Sequence, residues 1–236
     1  MNSDATIQKE IGAVRLWRNR YKYLTHLVLL ILLLILYPFF EKNFLDRTFL
    51  KVLLTVVMVS GVFSVSDTAK KFIFSLLLAV PFIILSALYL KTQVNSYEIA
   101  ATVFLLLFFV FATVTILVAV LSEDHIGHDT IFGAISVYIM LGLTWGIGYM
   151  VLQIFEPAAF SLATTVSGDR ILTFSDHMAY SFSCLTTLGS NDVLPVSAFA
   201  KTLVSFEAIC GSLYLAVLIA WLMGIFILHG QMKAGG

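Results

Sequence analysis

Six long stretches of apolar residues constrain this chain more than any other feature of its sequence. They cover residues 23–40, 49–65, 72–90, 99–121, 131–155 and 202–228, and they contain few or no charged side chains. A helix needs roughly 20 mostly apolar residues to cross the hydrocarbon core of a bilayer, and each stretch is near that length or longer. The sequence therefore predicts an all-α membrane protein with six transmembrane helices.

The composition agrees with a chain that is solvated by lipid. Hydrophobic residues make up 60% of the 236 residues and charged residues 12%, whereas soluble domains have about 45–50% and about 25%. The 14 basic residues are balanced by 14 acidic ones, so no basic surface indicates a nucleic-acid partner. The two cysteines, Cys184 and Cys210, lie in apolar surroundings and suggest no disulfide framework. The expected partners are the lipid bilayer and whatever crosses it.

Basic residues before the first stretch indicate the orientation. They are Lys9, Arg15, Arg18, Arg20 and Lys22. Because basic residues collect in short cytoplasmic flanks, we expect a cytoplasmic N-terminus and, after six crossings, a cytoplasmic C-terminus. The expected location is the plasma (inner) membrane of a bacterium. For residues 1–22 an interfacial amphipathic helix and a disordered basic tail both remain open.

The connection between the last two stretches contains a short apolar piece, residues 178–188. Its 11 residues are too few to span a bilayer. A re-entrant segment is the alternative, and a bilayer tolerates it only where protein or a water-filled cavity surrounds the irregular backbone. We therefore expect a re-entrant helix that enters from the outer side.

The residues that end this piece, 184–195, read Cys-Leu-Thr-Thr-Leu-Gly-Ser-Asn-Asp-Val-Leu-Pro. With its flanks, this segment resembles the pore module of tetrameric potassium channels: an outer helix, a pore helix, a T-x-G-Y-G-D filter followed by x-x-P, and an inner helix. The resemblance covers residues 131–230, which we take as the pore domain. It implies a homotetramer that conducts potassium passively, not an enzyme, with no cofactor beyond permeant K⁺ or Na⁺. The implied filter residues are Thr187, Leu188, Gly189, Ser190, Asn191 and Asp192.

The residue types of the filter fit cation conduction on physical grounds. A cation that loses its water needs rings of oxygen atoms, which backbone carbonyls can supply. One strand per chain closes such a ring only in a symmetric oligomer. Consecutive carbonyls that point the same way require alternating backbone handedness, and Gly189 accepts a positive φ freely. The carbonyls of Thr187, Leu188 and Gly189, with the Thr187 hydroxyl, are the expected sites for permeant potassium.

Two filter residues depart from the family pattern. Ser190 stands at the tyrosine position and Asn191 at the second glycine. Asparagine tolerates left-handed backbone better than most residues, so the path at Asn191 can be retained. The tyrosine of the family packs against pore-helix aromatics, and without it Tyr180 loses that partner. A wider or more mobile outer filter is expected, and a weakly selective or non-selective cation channel is the alternative to a potassium channel.

Several residues around the filter are candidates for supporting roles. Tyr180, Ser183 and Thr186 are expected to support the filter from the pore helix. The pair Thr186 and Thr187 also fits a plain polar helix end. Asp192 either concentrates cations at the outer mouth or accepts hydrogen bonds for structure.

Two residues of the sixth stretch are candidates for gating or tuning. An intramembrane carboxylate costs at least about 2.5 kcal/mol at a helix centre, so Glu207 is expected to tune the pore, unless it reaches water at the interface. Gly211 is either a hinge or a site of close helix approach.

The loop at residues 122–130 concentrates two histidines and three acids. His125 and His128 could bind a divalent metal or sense cytosolic pH, because histidine titrates near neutrality. A solvated cytoplasmic linker explains the same composition and is the reading that we favour.

The preceding four helices, residues 23–121, lack the arginines of a voltage sensor. Each charge that crosses the field contributes about 2.3 kcal/mol per 100 mV, and residues 99–121 contain no charge. We therefore expect no steep voltage dependence. A secondary transporter is a further alternative, but it is disfavoured because the chain has one re-entrant segment and no evident internal repeat.

Overall fold

A computed structural model describes residues 22–40, 44–66, 68–123, 127–163, 172–189 and 192–234. Over these residues the chain forms seven α-helices and two short β-strands. They are α1 (Lys22–Leu36), α2 (Phe44–Val65), α3 (Ala69–Thr92), α4 (Asn95–Leu121), α5 (His128–Phe155), β1 (Phe160–Leu162), α6 (Phe174–Leu185), β2 (Val193–Pro195) and α7 (Ala198–Ala234). A 3-10 turn, Tyr37–Phe39, follows α1.

The six-span prediction is confirmed. Among the described residues, six helices are long and apolar enough to cross a membrane: α1 with its 3-10 turn, α2, α3, α4, α5 and α7. Helical structure suits this environment because it satisfies every backbone polar group within the segment.

Most helices begin earlier than the apolar stretches, because their first turns are polar. Helix α3 begins at Ala69, where the Thr68 hydroxyl accepts a hydrogen bond from the Lys71 N–H at 3.4 Å. Helix α5 begins at His128, three residues before the start of the predicted pore domain, and the cytoplasmic linker at residues 122–130 stays a prediction. The short helix predicted at residues 178–188 corresponds to α6, which covers Phe174–Leu185; that this helix re-enters the membrane stays a prediction. The predicted amphipathic helix within residues 1–22 lies almost entirely outside the described residues.

Helix α5 is the centre of the packing. It packs against α1 and α4 of the preceding four helices, and also against α6 and α7. Helices α2 and α3 complete the four-helix region through contacts with α1 and α4 and with each other. The four-helix region is thus built onto the same helix that supports α6 and α7.

Two glycines let α6 approach α5 closely. A Cβ added at Gly142 would lie 2.4 Å from Cε1 of Phe182, and a Cβ at Gly146 would lie 2.4 Å from Cε of Met178. Neither distance leaves room for a methyl group. Small residues at helix contacts are typical of membrane proteins, because lipid provides no hydrophobic drive and association depends on close packing.

Polar contacts also connect α1 to α5. The Leu24 N–H, in the first turn of α1, donates to Oδ1 of Asp129 at 3.2 Å. Two residues further on, His26 is buried and approaches Ser60 of α2 and Met140 of α5. The first four N–H groups of a helix lack partners within it, so Asp129 acts as a cap supplied by a different helix.

Candidate functional site

Helix α6 begins at a capping box and ends directly before the filter segment, residues 187–192. The Thr173 hydroxyl accepts from the Asp176 N–H at 3.4 Å, and the Asp176 carboxylate accepts from the Thr173 N–H at 2.8 Å. This reciprocal pair fixes the N-terminus of the helix. The other end carries the partial negative charge of the unpaired carbonyls. Helix α6 therefore presents a cation-favouring end to the filter segment.

The described part of the filter segment has a left-handed backbone at alternate residues. Thr187 has a φ of +59° and Gly189 a φ of +75°. The Gly189 N–H donates to the Ser183 carbonyl at 3.1 Å, and the Thr187 N–H donates to the Cys184 carbonyl at 3.0 Å. A positive φ is a strained conformation for a β-branched residue such as threonine, and such strain persists where the surroundings impose it.

Positive φ, rather than space, explains the glycine at 189. A Cβ there would meet no atom within 4 Å, but the backbone conformation disfavours any other residue. Residues 186–189 are all exposed in the single chain. Ser190 and Asn191 lie outside the described residues, so the expectations for these two positions remain predictions.

A pair of short strands holds the chain after the filter segment. Strand β2 pairs antiparallel with β1, in the register Phe160 with Pro195 and Leu162 with Val193. The ladder is extended by the Ala163 N–H, which donates to the Asp192 carbonyl at 2.9 Å. The segment that follows α5 is thereby tied to the end of the filter segment. The sequence does not predict this strand pair, because strands of three residues produce no recognisable periodicity.

Tyr180 packs in an aromatic cluster behind the filter segment. Its ring centroid lies 5.7 Å from that of Tyr149 on α5 and 5.8 Å from that of Phe160 on β1. His177 of α6 meets Phe160 edge to face at 6.2 Å. Burial raises the pKa of the Tyr180 hydroxyl and that of the nearby Cys184 thiol. Tyr180 therefore has aromatic partners within its own chain, which the sequence analysis did not find.

Glu207 of α7 is fully buried between α5 and α6. Its carboxyl group accepts a hydrogen bond from the Tyr149 hydroxyl and is hydrogen-bonded to the Ser181 hydroxyl. The Ser181 hydroxyl is also 2.7 Å from the Gly142 carbonyl oxygen. Glu207 is thus enclosed by α5 and α6 in the single chain, and the expectation that it tunes the pore stays a prediction. Tyr149 and Ser181 were missed, although a buried acid must have polar partners.

Gly211 lies one turn after Glu207, where α7 crosses the end of α6. A Cβ at this position would lie 2.4 Å from the Leu185 carbonyl oxygen. Of the two hypotheses for Gly211, close helix approach is thus visible in the structure. Three residues further on, the Tyr214 hydroxyl donates to the Ala134 carbonyl, and the Tyr214 ring stacks on Tyr138 at 5.8 Å. Helix α7 therefore contacts α5 on both sides of Gly211, through Glu207 and Tyr214, and contacts α6 at Glu207 and at Gly211.

The other predicted site residues that the structure describes either bond within α6 or are exposed. The Thr186 hydroxyl donates to the Phe182 carbonyl at 2.7 Å, and the Ser183 hydroxyl to the Tyr180 carbonyl at 2.7 Å, so both bond to α6 itself. Asp192 is exposed. His128 is exposed at the start of α5, and His125 lies outside the described residues. Among the described residues no group of three potential metal ligands occurs.

Comparison with known proteins relates this region to ion channels. Residues 136–227 match a family model described as "Ion channel". An inward rectifier potassium channel, Kirbac3.1 of Paramagnetospirillum magnetotacticum, is 30% identical over 95 residues, which are 40% of this chain and 31% of that protein. The chain thus spans about a third of the length of this relative. No solved structure shows a significant match.

The family model covers most of α5, all of α6 and the filter segment, and most of α7. The two matches support a potassium-channel-like family for this region, and they favour a channel over an enzyme. Neither match tests the six residues of the filter segment individually.

Proposed function

We propose that the chain forms a homotetramer that conducts monovalent cations passively, potassium first among them. The observation that carries this proposal is the filter segment, where Thr187 and Gly189 have left-handed backbone directly after the carbonyl end of α6. Alternating handedness is what directs successive carbonyls toward one side of a strand. Rings of such carbonyls replace the hydration shell of a permeating cation. No residue in this mechanism is catalytic.

The exposure of α7 supports a symmetric assembly. It is the least buried of the six spanning helices, and Phe206, Ile209 and Leu213 are exposed along it. The Thr187 and Leu188 side chains are exposed as well. One copy of the filter segment cannot enclose an ion, whereas fourfold symmetry brings four copies to a common axis. In such a tetramer, neighbouring subunits and the ion pathway account for these exposed surfaces.

Selectivity depends on the outer half of the filter segment. The inner carbonyls and the Thr187 hydroxyl are the proposed potassium sites, and four copies of Asp192 would add negative charge at the outer mouth. Serine at 190 and asparagine at 191 instead of the usual tyrosine and glycine favour the second candidate, a weakly selective cation channel. The four-helix region carries no voltage-sensor charges within α4, so the proposed channel is not voltage-gated. Both termini are proposed to be cytoplasmic, in a bacterial plasma membrane.

The reversal potential of the purified full chain in planar bilayers, with potassium on one side and sodium on the other, tests the proposal. A potential near the potassium limit identifies a selective channel, and a potential near zero with unitary currents identifies the weakly selective one. Gly189→Ala should abolish the current, because alanine is strained at a φ of +75°. Gly148→Ala is the matched control, since its nearest contact, at 4.0 Å, is an ordinary one. Full current in Gly189→Ala would contradict the proposal.

A further inference from the structure

The surroundings of Glu207 provide hydrogen bonds but no counter-charge. Its side chain is enclosed by Tyr149 of α5 and Ser181 of α6. The other titratable groups that face it are Tyr138 of α5 and Tyr180 and Cys184 of α6, which are all neutral at ordinary pH. In the described part of the chain, a salt bridge joins Lys51 to Glu98, and none involves Glu207. A buried carboxylate without a cation is expensive, because it loses its hydration without compensation.

The hydrogen atoms of this network can be counted. Ser181 contacts both the Gly142 carbonyl oxygen and one carboxyl oxygen of Glu207, but its hydroxyl has a single hydrogen. A carbonyl has none to give, so the Ser181 hydrogen goes to Gly142. The contact between Ser181 and Glu207 then requires a hydrogen from the carboxyl group. The Tyr149 hydroxyl supplies the hydrogen for the other carboxyl oxygen. All three contacts are satisfied only when Glu207 is protonated.

We propose that Glu207 is a positioning residue that is held in its neutral, protonated form and connects α7, α6 and α5 behind the filter segment. Its hydrogen goes to Ser181, whose own hydrogen goes to Gly142, while Tyr149 donates to Glu207. Any effect of Glu207 on ion conduction rests on the proposed channel function. The protonation of Glu207 and its fixing of α6 do not depend on that function.

The location of this bridge explains what it positions. Ser181 lies one turn before Leu185 on α6, and Glu207 lies one turn before Gly211 on α7. The contact of Ser181 with Glu207 and the contact of Leu185 with Gly211 therefore join the same two helices one turn apart. Because Leu185 ends α6 and Thr187 lies only two residues beyond it, a shift of α6 at Ser181 would displace the inner filter residues.

Infrared spectroscopy of the purified protein tests the protonation directly. In the difference spectrum between the wild type and Glu207→Gln at neutral pH, we expect the carbonyl stretch of a protonated carboxylic acid to be lost. Loss of the two carboxylate bands instead would overturn the proposal. This readout needs no ion current, so a failure of the proposed channel function would leave it unaffected.

The rate at which a maleimide modifies Cys184, measured in a Cys210→Ser background, tests the positioning. Cys184 is buried on α6, so it reacts when the helix loosens. Glu207→Gln can make the same three hydrogen bonds and should leave the rate within about twofold of the background. Ser181→Ala removes two of these hydrogen bonds and should raise the rate about threefold or more, since even one lost hydrogen bond favours local opening by about that factor.

The matched control for Ser181→Ala is Ser136→Ala. Ser136 is also buried, but its hydroxyl donates to the Phe132 carbonyl of its own helix, at 2.8 Å. We expect no change in the Cys184 rate for this variant. If Ser181→Ala behaves like Ser136→Ala, the bridge does not hold α6. If Glu207→Gln exposes Cys184 as much as Ser181→Ala does, a negative charge is required and the neutral bridge is wrong.

Discussion

Replacing Gly211 with alanine tests the contact between α7 and the end of α6. The new Cβ would lie 2.4 Å from the Leu185 carbonyl oxygen, 2.9 Å from its Cδ1 and 3.2 Å from its carbonyl carbon. Two of these three atoms belong to the backbone, which cannot rotate away as a side chain can. Ordinary contact begins at 3.4 Å, so α7 and the end of α6 must separate by about 1 Å.

The expected change in the free energy of unfolding has two parts. Overpacking at a close contact costs about 1–3 kcal/mol. Alanine is a better helix former than glycine, which returns about 1 kcal/mol. Close approach therefore predicts a net loss of up to about 2 kcal/mol for Gly211→Ala. If Gly211 served only as a hinge, the substitution would stiffen the helix and raise the free energy of unfolding by about 1 kcal/mol. The two hypotheses therefore predict changes of opposite sign in the free energy of unfolding.

Equilibrium unfolding in mixed detergent micelles measures this difference. Gly148→Ala in α5 is the control, because its new Cβ would meet only Cδ1 of Leu106 at 4.0 Å. It receives the same gain in helix propensity without the clash. The difference between the two variants therefore isolates the overpacking cost of about 1–3 kcal/mol. If Gly211→Ala is as stable as Gly148→Ala, the close contact with Leu185 does not limit the structure and the hinge hypothesis is favoured.

Three further predictions concern selectivity, voltage dependence and the capping of α1. Ser190→Tyr combined with Asn191→Gly should raise the potassium-over-sodium permeability ratio, and an unchanged ratio in a folded tetramer would refute our account of the filter. The conductance should vary only weakly with voltage, because α4 carries no charge in its interior; a steep conductance–voltage curve would contradict this. Asp129→Ala should lower the free energy of unfolding by about 1 kcal/mol, since the Leu24 N–H loses its acceptor, whereas Asp129→Asn should retain most of it.

The sequence predicted the helices well because membrane insertion depends on apolar length. Each spanning helix was found, and the errors lie at the ends, where polar residues extend the helix beyond the apolar stretch. Helix α6 shows this clearly, since Thr173 and Asp176 cap it four residues before the predicted start. The length of an uncharged stretch alone does not predict such polar first turns.

The partners of the site residues could not be predicted to the same extent. That Glu207 is buried follows from its place in an apolar stretch, but its contacts with Tyr149 and Ser181 depend on how three helices pack. The pairing of β1 with β2 depends on two segments that are about thirty residues apart in the sequence. Neither segment has a pattern of its own, because three residues show no periodicity.

The strand pair changes what the loss of the family tyrosine means for the filter. Ser190 stands where the channels that this segment resembles have a tyrosine, so the proposed filter lacks a large side chain at that position. The backbone supplies a different connection, because the Asp192 carbonyl accepts from the Ala163 N–H and β2 continues the ladder. Phe160 of β1 contacts the rings of Tyr149 and Tyr180, so β1 is itself fixed to α5 and α6. The end of the filter segment at Asp192 is therefore restrained through main-chain hydrogen bonds that connect it to β1.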